Sequence, residues 1–138
     1  DHKGSDSLHS ALKLYAKAEL LSIQKKPTEA LVVLDSILNN HKTDPIIDQT
    51  LLVQAQLYET QKAFSKAEAN YIRIITDYKD DILIDDAYFY LAELYRTKLQ
   101  QTDKAKLNYE TIIFNHEDSI HFVEARKQYR TLRGDSIN

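Results

Sequence analysis

Five aspartates in one short stretch are the first residues whose type and spacing could do chemistry. Carboxylate oxygens at this density are the ligands that a calcium ion requires. The spacing fits no calcium-binding loop, however, and the stretch has no glycine at which such a loop would turn. Acidic side chains also stabilise the first turn of a helix, so we predict a helix start here and no metal ion. The five residues are Asp77, Asp80, Asp81, Asp85 and Asp86.

The sequence His116-Glu117, followed by His121, is a second candidate for metal chemistry. Zinc proteases place two histidines four residues apart on one helical face, with a glutamate as the base. Here the histidines are five residues apart, and Asp118 is expected to begin a new helix between them. We therefore predict no zinc site.

Four cations lie close together near the end of the chain. They predict the solvated side of a last helix, where positive charge is favourable near the C-terminus, with binding of an acidic partner as the alternative. Arg133-Gly134-Asp135 also spells a cell-adhesion tripeptide, but Gly134 is better explained as the residue that ends this helix in the left-handed conformation. The cations are Arg126, Lys127, Arg130 and Arg133.

The composition of the 138 residues excludes several classes of function. Cysteine is absent, so disulfides and thiolate metal sites are impossible. The two glycines, at positions 4 and 134, cannot form a phosphate-binding loop, and no nucleophile–base–acid set stands out. A net charge of −3 argues against general nucleic-acid binding, and no apolar run approaches the ~20 residues of a membrane span. We predict a protein that is not an enzyme and needs no cofactor.

The elements that carry these residues repeat along the chain. Ser7, Asp44, Asp81 and Asp118 lie 37 residues apart, and each is a residue type that caps a helix. Pro45 follows Asp44, where the first helical position tolerates proline. No segment shows sustained apolar–polar alternation, so no strand is expected. The pattern predicts seven helices that start near residues 7, 27, 44, 64, 81, 102 and 118.

Small residues recur at matching places in successive predicted helices. They form the pairs Ala18/Ala30, Ala55/Ala67 and Ala92/Ala105, and a large residue follows the first alanine of each pair at Leu21, Tyr58 and Tyr95. With Phe64 opening the fourth helix, this arrangement resembles the tetratricopeptide repeat (TPR) family, in which small residues let two helices approach closely. The chain departs from the family in its longer period, compared with the usual ~34, and in lacking the turn glycine, the late proline and tryptophan.

The resemblance implies an all-α, right-handed α-solenoid of three helix–turn–helix repeats and a C-terminal capping helix. Residues 1–6 are then a polar leader, and the solenoid covers 7–133, with repeats at about 7–43, 44–80 and 81–117. The last helix, 118–133, carries Tyr129 where the repeats carry a small alanine, which suits a helix with no partner behind it. Residues 134–138 are a tail.

The same resemblance implies a concave groove lined by the first helix of each repeat, which binds a protein or peptide partner. Aligned positions give this groove an acidic or neutral centre, and the Lys/Asn pattern that clamps a C-terminal carboxylate in some TPR proteins is absent. Packing between repeats is the alternative role for some of these residues. The groove residues are Tyr15, Glu19, Leu52, Gln56, Phe89, Tyr90, Glu93 and Arg96.

The function expected from this reading is a non-catalytic scaffold for protein–protein or protein–peptide interaction. The chain does not begin with methionine, and we expect it to be part of a longer bacterial repeat protein. The longer period resembles bacterial envelope TPR proteins, including outer-membrane assembly lipoproteins, which implies the periplasm or cell envelope. The alternative is a positioning or oligomerisation module of a larger enzyme or ligand-binding protein. Apolar Leu8 and Leu12 on the first helix also predict self-association through the N-terminal helices.

Overall fold

The structure, a computed structural model, describes residues 2–134, and side chains from residue 6 onward. Within that range the chain is all-α and contains no strand, which confirms the predicted fold class. The seven helices are α1 (His2–Ile23), α2 (Pro27–Asn40), α3 (Ile47–Thr60), α4 (Phe64–Asp77), α5 (Ile84–Thr97), α6 (Thr102–Asn115) and α7 (Phe122–Arg133). The tail residues 135–138 lie outside the described part of the chain.

The helices divide into two compact units, residues 1–70 and 71–138, and the division falls within α4. In the first unit, α1 packs on α2 and α2 on α3. In the second, α5 packs on α6 and α6 on α7. Each unit therefore has its own apolar core. The fully buried large side chains are Leu34, Ile37, Ile47 and Leu51 in the first unit and Tyr71, Ile74, Leu94, Tyr109 and Ile112 in the second.

The predicted small residues lie in these cores. A side chain of one methyl group lets two helix backbones approach to the short end of the 8–10 Å interaxial range. No larger side chain fits at such a contact without displacing the helices. Burial at all six positions agrees with the close-packing role predicted from the repeat: Ala18, Ala30, Ala55, Ala67, Ala92 and Ala105.

The turns inside the helical pairs use no glycine. Lys25 and Lys62 adopt a left-handed conformation with φ of +61° at both, and Gln100 does so with φ of +55°. After Lys25, the Lys26 amide donates to the Leu21 carbonyl at 2.8 Å, which is the bond that closes a Schellman motif. Ala63 donates likewise to Tyr58 at 2.9 Å. At these two turns a lysine in the left-handed conformation therefore occupies the position that glycine usually takes.

The connections between successive pairs also repeat. In the first, the Asp44 amide donates to the His41 carbonyl at 3.0 Å and the Ile47 amide to the Asp44 carbonyl at 3.2 Å. The same two bonds recur between Tyr78, Asp81 and Ile84, and again between His116, Ser119 and Phe122. Two consecutive turns therefore precede α3, α5 and α7, and this part of the backbone repeats along the chain.

The predicted helix starts at 44, 81 and 118 are wrong, because the helices begin at Ile47, Ile84 and Phe122. The residues expected as caps make turn contacts instead, and none of these three helices has a side-chain cap. The Asp81 carboxylate accepts from the Leu83 amide at 3.2 Å, an arrangement in which aspartate stabilises its own turn. In the last connection Ser119, not Asp118, occupies this place, because the chain is one residue longer at the turn before α6.

The first helix starts at His2, so the backbone of the predicted leader is helical from residue 2 onward and Ser7 does not begin the helix. The Ser7 hydroxyl is bound elsewhere: it donates to the Asp44 carboxylate at 2.7 Å and lies 2.9 Å from Nδ1 of His41. A side chain held by the next connection cannot also cap its own helix. The predicted starts of α2, α4 and α6, at residues 27, 64 and 102, agree with the structure.

A chain of hydrogen-bonded polar side chains, of which only Gln54 is buried, joins three helices of the first unit. Gln54 on α3, almost inaccessible to solvent, donates to the Asp35 carboxylate of α2 at 2.8 Å. Asn70 on α4 donates to the Gln54 side-chain oxygen at 2.8 Å and to the Leu51 carbonyl at 3.2 Å. A buried amide is tolerated only when it is hydrogen-bonded, and Gln54 has a partner for both its nitrogen and its oxygen.

The last helix has the two faces that the sequence predicts. Phe122, Ala125, Tyr129 and Leu132 are buried or half-buried, and the Tyr129 hydroxyl donates to Glu110 of α6 at 2.9 Å. The other side of the helix carries exposed charges: Glu124, Lys127, Arg130 and Arg133. Gly134 then ends the helix with φ of +87°, in the left-handed conformation expected for it.

Candidate functional site

A groove of about 340 Å³ opens on the first unit, between the later halves of α1 and α3, with Leu34 of α2 at its base. We call it the first-unit groove. Three of the predicted site residues, Tyr15, Glu19 and Gln56, line it together with Ser22 and Thr60. Its apolar lining comes from Ala18, Ile23, Leu34, Val53 and Leu57. Apolar walls with a few polar groups are the usual composition of a ligand site.

Tyr15 supplies a neutral hydroxyl to this groove. Its oxygen accepts a hydrogen bond from Nε2 of Gln49 at 3.3 Å, which fixes the ring between α1 and α3. Burial raises the pKa of the Tyr15 phenol, the hydrogen bond from Gln49 opposes that rise, and the charge of Glu19 adds to it. The phenol therefore stays protonated at neutral pH and can donate to a bound acceptor.

Glu19 gives the first-unit groove its charge. Among the residues that the structure describes, it is the only ionised side chain lining this groove, and it is exposed to solvent. Gln56, also exposed, lines the same groove and presents a neutral amide. The electrostatics of the first-unit groove are therefore neutral to acidic.

Leu52, predicted to line the groove, points elsewhere. Its side chain is 7% exposed and belongs to the core of the first unit. Conversely, the groove is also lined by three residues that were not predicted from the sequence: Ile23, Leu57 and Thr60. Ile23 is 77% exposed, and an isoleucine at the very end of an amphipathic helix was the signal that could have identified it.

Phe89, the predicted aromatic anchor in the second unit, is only 9% exposed. Its ring stacks on the imidazole of His121 with centroids 4.3 Å apart and planes at 6°, and it meets Tyr109 edge-on at 6.2 Å. His121 is held in place by Asp86, whose carboxylate lies 2.6 Å from Nε2. The ring of Phe89 is thus covered by the connection that precedes α7.

Tyr90 is half-buried at the edge of the same aromatic cluster. Its ring lies edge-on to Phe89 at 5.8 Å and to His121 at 5.6 Å, and its centroid is 6.4 Å from that of Tyr71. Each aromatic pair of this kind contributes about 0.5–1.5 kcal/mol beyond its buried area. Tyr90 therefore has a packing role, whatever else its accessible part contacts.

Glu93 and Arg96 bind each other and the buried Tyr109. The Arg96 guanidinium donates from one nitrogen to both Glu93 oxygens, at 2.9 and 3.0 Å, and from Nε to the Tyr109 hydroxyl at 3.0 Å. The same hydroxyl donates to Glu93. Burial and the hydrogen bond to Glu93 raise the pKa of the Tyr109 phenol far above its ordinary value. In this arrangement Arg96 has its charge neutralised within the unit.

Several of the residues considered for metal binding make other contacts. Asp81 stabilises its turn, Asp86 pairs with His121, and the His116 ring lies 6.1 Å from that of Tyr88. Across residues 2–134, no three His, Cys, Asp or Glu side chains gather in a group that could hold a metal ion. In the same range, no helix has the length and apolar character needed to cross a membrane.

Comparisons with known proteins identify structures with a similar fold. No protein-family model matches the chain, and no curated protein matches its sequence. Among solved structures, a tetratricopeptide repeat protein from Parabacteroides merdae matches with a TM-score of 0.72 and 22% identity over 90% of this chain. The first TPR of Spaghetti (RPAP3), bound to the HSP90 peptide SRMEEVD, matches with a TM-score of 0.70 and 21% identity over 92% of this chain.

These likenesses show that the chain has a TPR-like fold, in agreement with the resemblance noted in the sequence. The extent of the two matches differs. The chain covers 93% of the RPAP3 domain but only 46% of the Parabacteroides protein, so it spans about half the length of the latter.

Proposed function

We propose that the protein is a non-catalytic interaction module that binds a peptide segment of a protein partner in the first-unit groove. The observation that carries the proposal is the convergence of Tyr15, Glu19 and Gln56, from two helices, on one open apolar groove. The TPR-like fold supports it, since a neighbour with the same fold binds a peptide.

The charge of the groove indicates which peptides it accepts. The RPAP3 domain binds SRMEEVD, a peptide with three carboxylate side chains. In the described lining of our first-unit groove no lysine or arginine is present and Glu19 is exposed, so an acidic peptide would meet repulsion. We therefore propose a ligand that is neutral or basic and carries apolar side chains for Ile23, Val53 and Leu57.

A selection from a random peptide display library tests this proposal. The best selected peptide is synthesised and titrated calorimetrically against the wild type and two variants, Ile23→Ser and Gln56→Arg. Both side chains are exposed, so folding should be preserved. Each variant is expected to weaken binding about tenfold, by removing apolar contact or by adding bulk and like charge.

Val32→Ser is the matched control, because Val32 is also an exposed apolar residue of the first unit but does not line the groove. It should leave the affinity unchanged, and SRMEEVD itself should not bind. Equal affinities of all four proteins for the selected peptide would remove the groove from consideration.

Other parts of the sequence-based hypothesis remain proposals. Tyr90, Glu93 and Arg96 are half-buried and stay candidate contacts in the second unit, whereas Leu52 and Phe89 would need to leave the core to touch a partner. Leu12 is exposed on α1, which supports self-association through the first two helices.

We also propose that the chain is part of a longer repeat protein of the bacterial envelope type. The 46% coverage of the Parabacteroides protein and the 37-residue spacing support this. The alternative is a positioning module of a larger enzyme or ligand-binding protein. Mass spectrometry of the native gene product separates the two, because additional sequence of non-repeat composition favours the alternative. Detection in cytoplasmic fractions alone would contradict the envelope assignment.

A further inference from the structure

The second unit has a groove of its own, of about 240 Å³, which none of the predicted site residues lines. It lies over α4, α5 and α6, and we call it the second-unit groove. Its lining includes Ile72 of α4, Leu91 and Tyr95 of α5, and Lys104, Leu107 and Asn108 of α6. Small-molecule sites usually have about 300–1,000 Å³, so this volume suits a few side chains of a peptide better than a cofactor.

Leu91 and Tyr95 of this lining belong to the core, but Ile72 and Leu107 do not. On α4 the core is made by Tyr71 and Ile74, and on α6 by Tyr109 and Ile112. Ile72 and Leu107 lie on other sides of these helices and are 43% and 62% exposed. Apolar side chains that border a groove and contribute little to folding are typical of a contact surface.

The charge of the groove selects its occupant. Lys104 is the only ionised side chain among the described residues that line it, and its Nζ lies 5.5 Å from the centre of the Tyr95 ring. The ring holds the ammonium at the groove, where a carboxylate would complete its pairing while a second cation would be repelled. Asn108 adds an amide that can bind a peptide backbone.

We propose that the second-unit groove is a second docking site, for a partner segment with apolar side chains and at least one carboxylate. This surface is separate from the first-unit groove in residues and opposite to it in charge. The proposal does not depend on peptide binding by the first unit.

Methyl NMR of the whole chain tests the proposal with two blocked peptides, LLEFE and its lysine counterpart LLKFK. LLEFE is expected to shift the methyl signals of Ile72, Ile75, Leu91 and Leu107, and to bind at least about tenfold more tightly than LLKFK. Lys104→Glu should reverse that preference, and Leu107→Ser should weaken binding of LLEFE. Both side chains are exposed, so the variants should fold, as circular dichroism will check.

Val32→Ser, on the first unit, is the control and should change nothing. The proposal is overturned if LLEFE shifts none of these methyl signals, or if Lys104→Glu leaves the preference unaltered. It is also overturned if sedimentation shows a self-associated wild type that Leu107→Ser makes monomeric, because a second copy would then occupy the groove. Shifts confined to Ile23 and Val53 would support the first-unit groove and not this one.

Discussion

Ser7 and Asp44, two residues in equivalent places one repeat apart, are hydrogen-bonded to each other at 2.7 Å. Both are residue types that can cap a helix, and their spacing is one of the patterns that indicate the repeat. In the structure the first uses its side chain to hold the connection that contains the second, with His41 Nδ1 3.1 Å from the same carboxylate.

Ser7→Ala is therefore expected to lower the free energy of unfolding by about 1–2 kcal/mol, since a hydrogen bond to a charged acceptor is lost. Chemical denaturation measures the change. Ser10→Ala is the matched control on the same helix, because Ser10 is exposed, and it should stay within about 0.5 kcal/mol of the wild type. Equal effects of the two substitutions would show that the bond contributes nothing to stability.

Lys62→Gly should stabilise the protein, against the usual cost of glycine. Lys62 has a φ of +61°, where a side chain costs about 1–2 kcal/mol, and the greater freedom of glycine in the unfolded chain cancels part of the gain. We expect a net increase of about 0.5–1 kcal/mol in the free energy of unfolding. Lys17→Gly, in the middle of α1, should lower it by about 1 kcal/mol. A loss in both variants would contradict the left-handed turn.

Ala55→Leu and Ala92→Leu should each destabilise the protein by about 1–3 kcal/mol, because both alanines are fully buried where helices touch. Thermal and chemical unfolding provide the measurement. Ala16→Leu, at an exposed position of α1, is the control and should be close to neutral. Neutral results at both buried positions would refute the close contact between helices.

The raised pKa of Tyr109 predicts a loss of stability at alkaline pH. Burial and the hydrogen bond to Glu93 raise its pKa above the ordinary value of 10.0, so the folded state holds the phenolic proton more tightly than the unfolded state. This contribution is complete below pH 10 and is lost progressively as the pH rises toward the folded-state pKa. Denaturation at pH 8 to 11 should show a steeper decline for the wild type than for Tyr109→Phe. Parallel declines would argue against the raised pKa.

We expect the protein to self-associate through its N-terminal helices at high concentration. Leu12 is exposed and Leu8 is half-buried on α1, and charges there would make contact between copies unfavourable. Sedimentation is expected to show oligomers in the wild type and monomers in the double variant Leu8→Glu, Leu12→Glu. A wild type that is monomeric at all concentrations would disprove this.

The sequence was sufficient to predict the helices and the burial of their small residues, because both depend on local patterns. Ala30, Ala67 and Ala105 recur early in the second helix of each pair, and a small residue at that place has few roles other than packing. The starts of α3, α5 and α7 were misplaced for an equally local reason. Aspartate satisfies a turn amide as well as it caps a helix, and the sequence does not say which.

The candidate site was less predictable, because it depends on contacts between distant residues. Phe89 has the pattern of a groove residue, and nothing near it in the sequence shows that His121 covers its ring. Glu93 and Arg96 likewise have the pattern of binding residues, but both are hydrogen-bonded to the Tyr109 hydroxyl. Tyr15, Glu19 and Gln56 line one groove and keep accessible surface, and their role in binding remains a prediction.

The hydrogen bonds that join Gln54, Asp35 and Asn70 have a consequence for how such an array can evolve. One period further along, Leu91 stands where Gln54 stands, and it is a nearly buried aliphatic residue with no amide to offer. If recombination joined the first helical pair directly to the third, Asp35 would face a leucine and lose its hydrogen-bond donor. The pairs have a repeating backbone but different side-chain contacts, so duplication or deletion of one 37-residue segment would change the hydrogen bonds between neighbouring pairs.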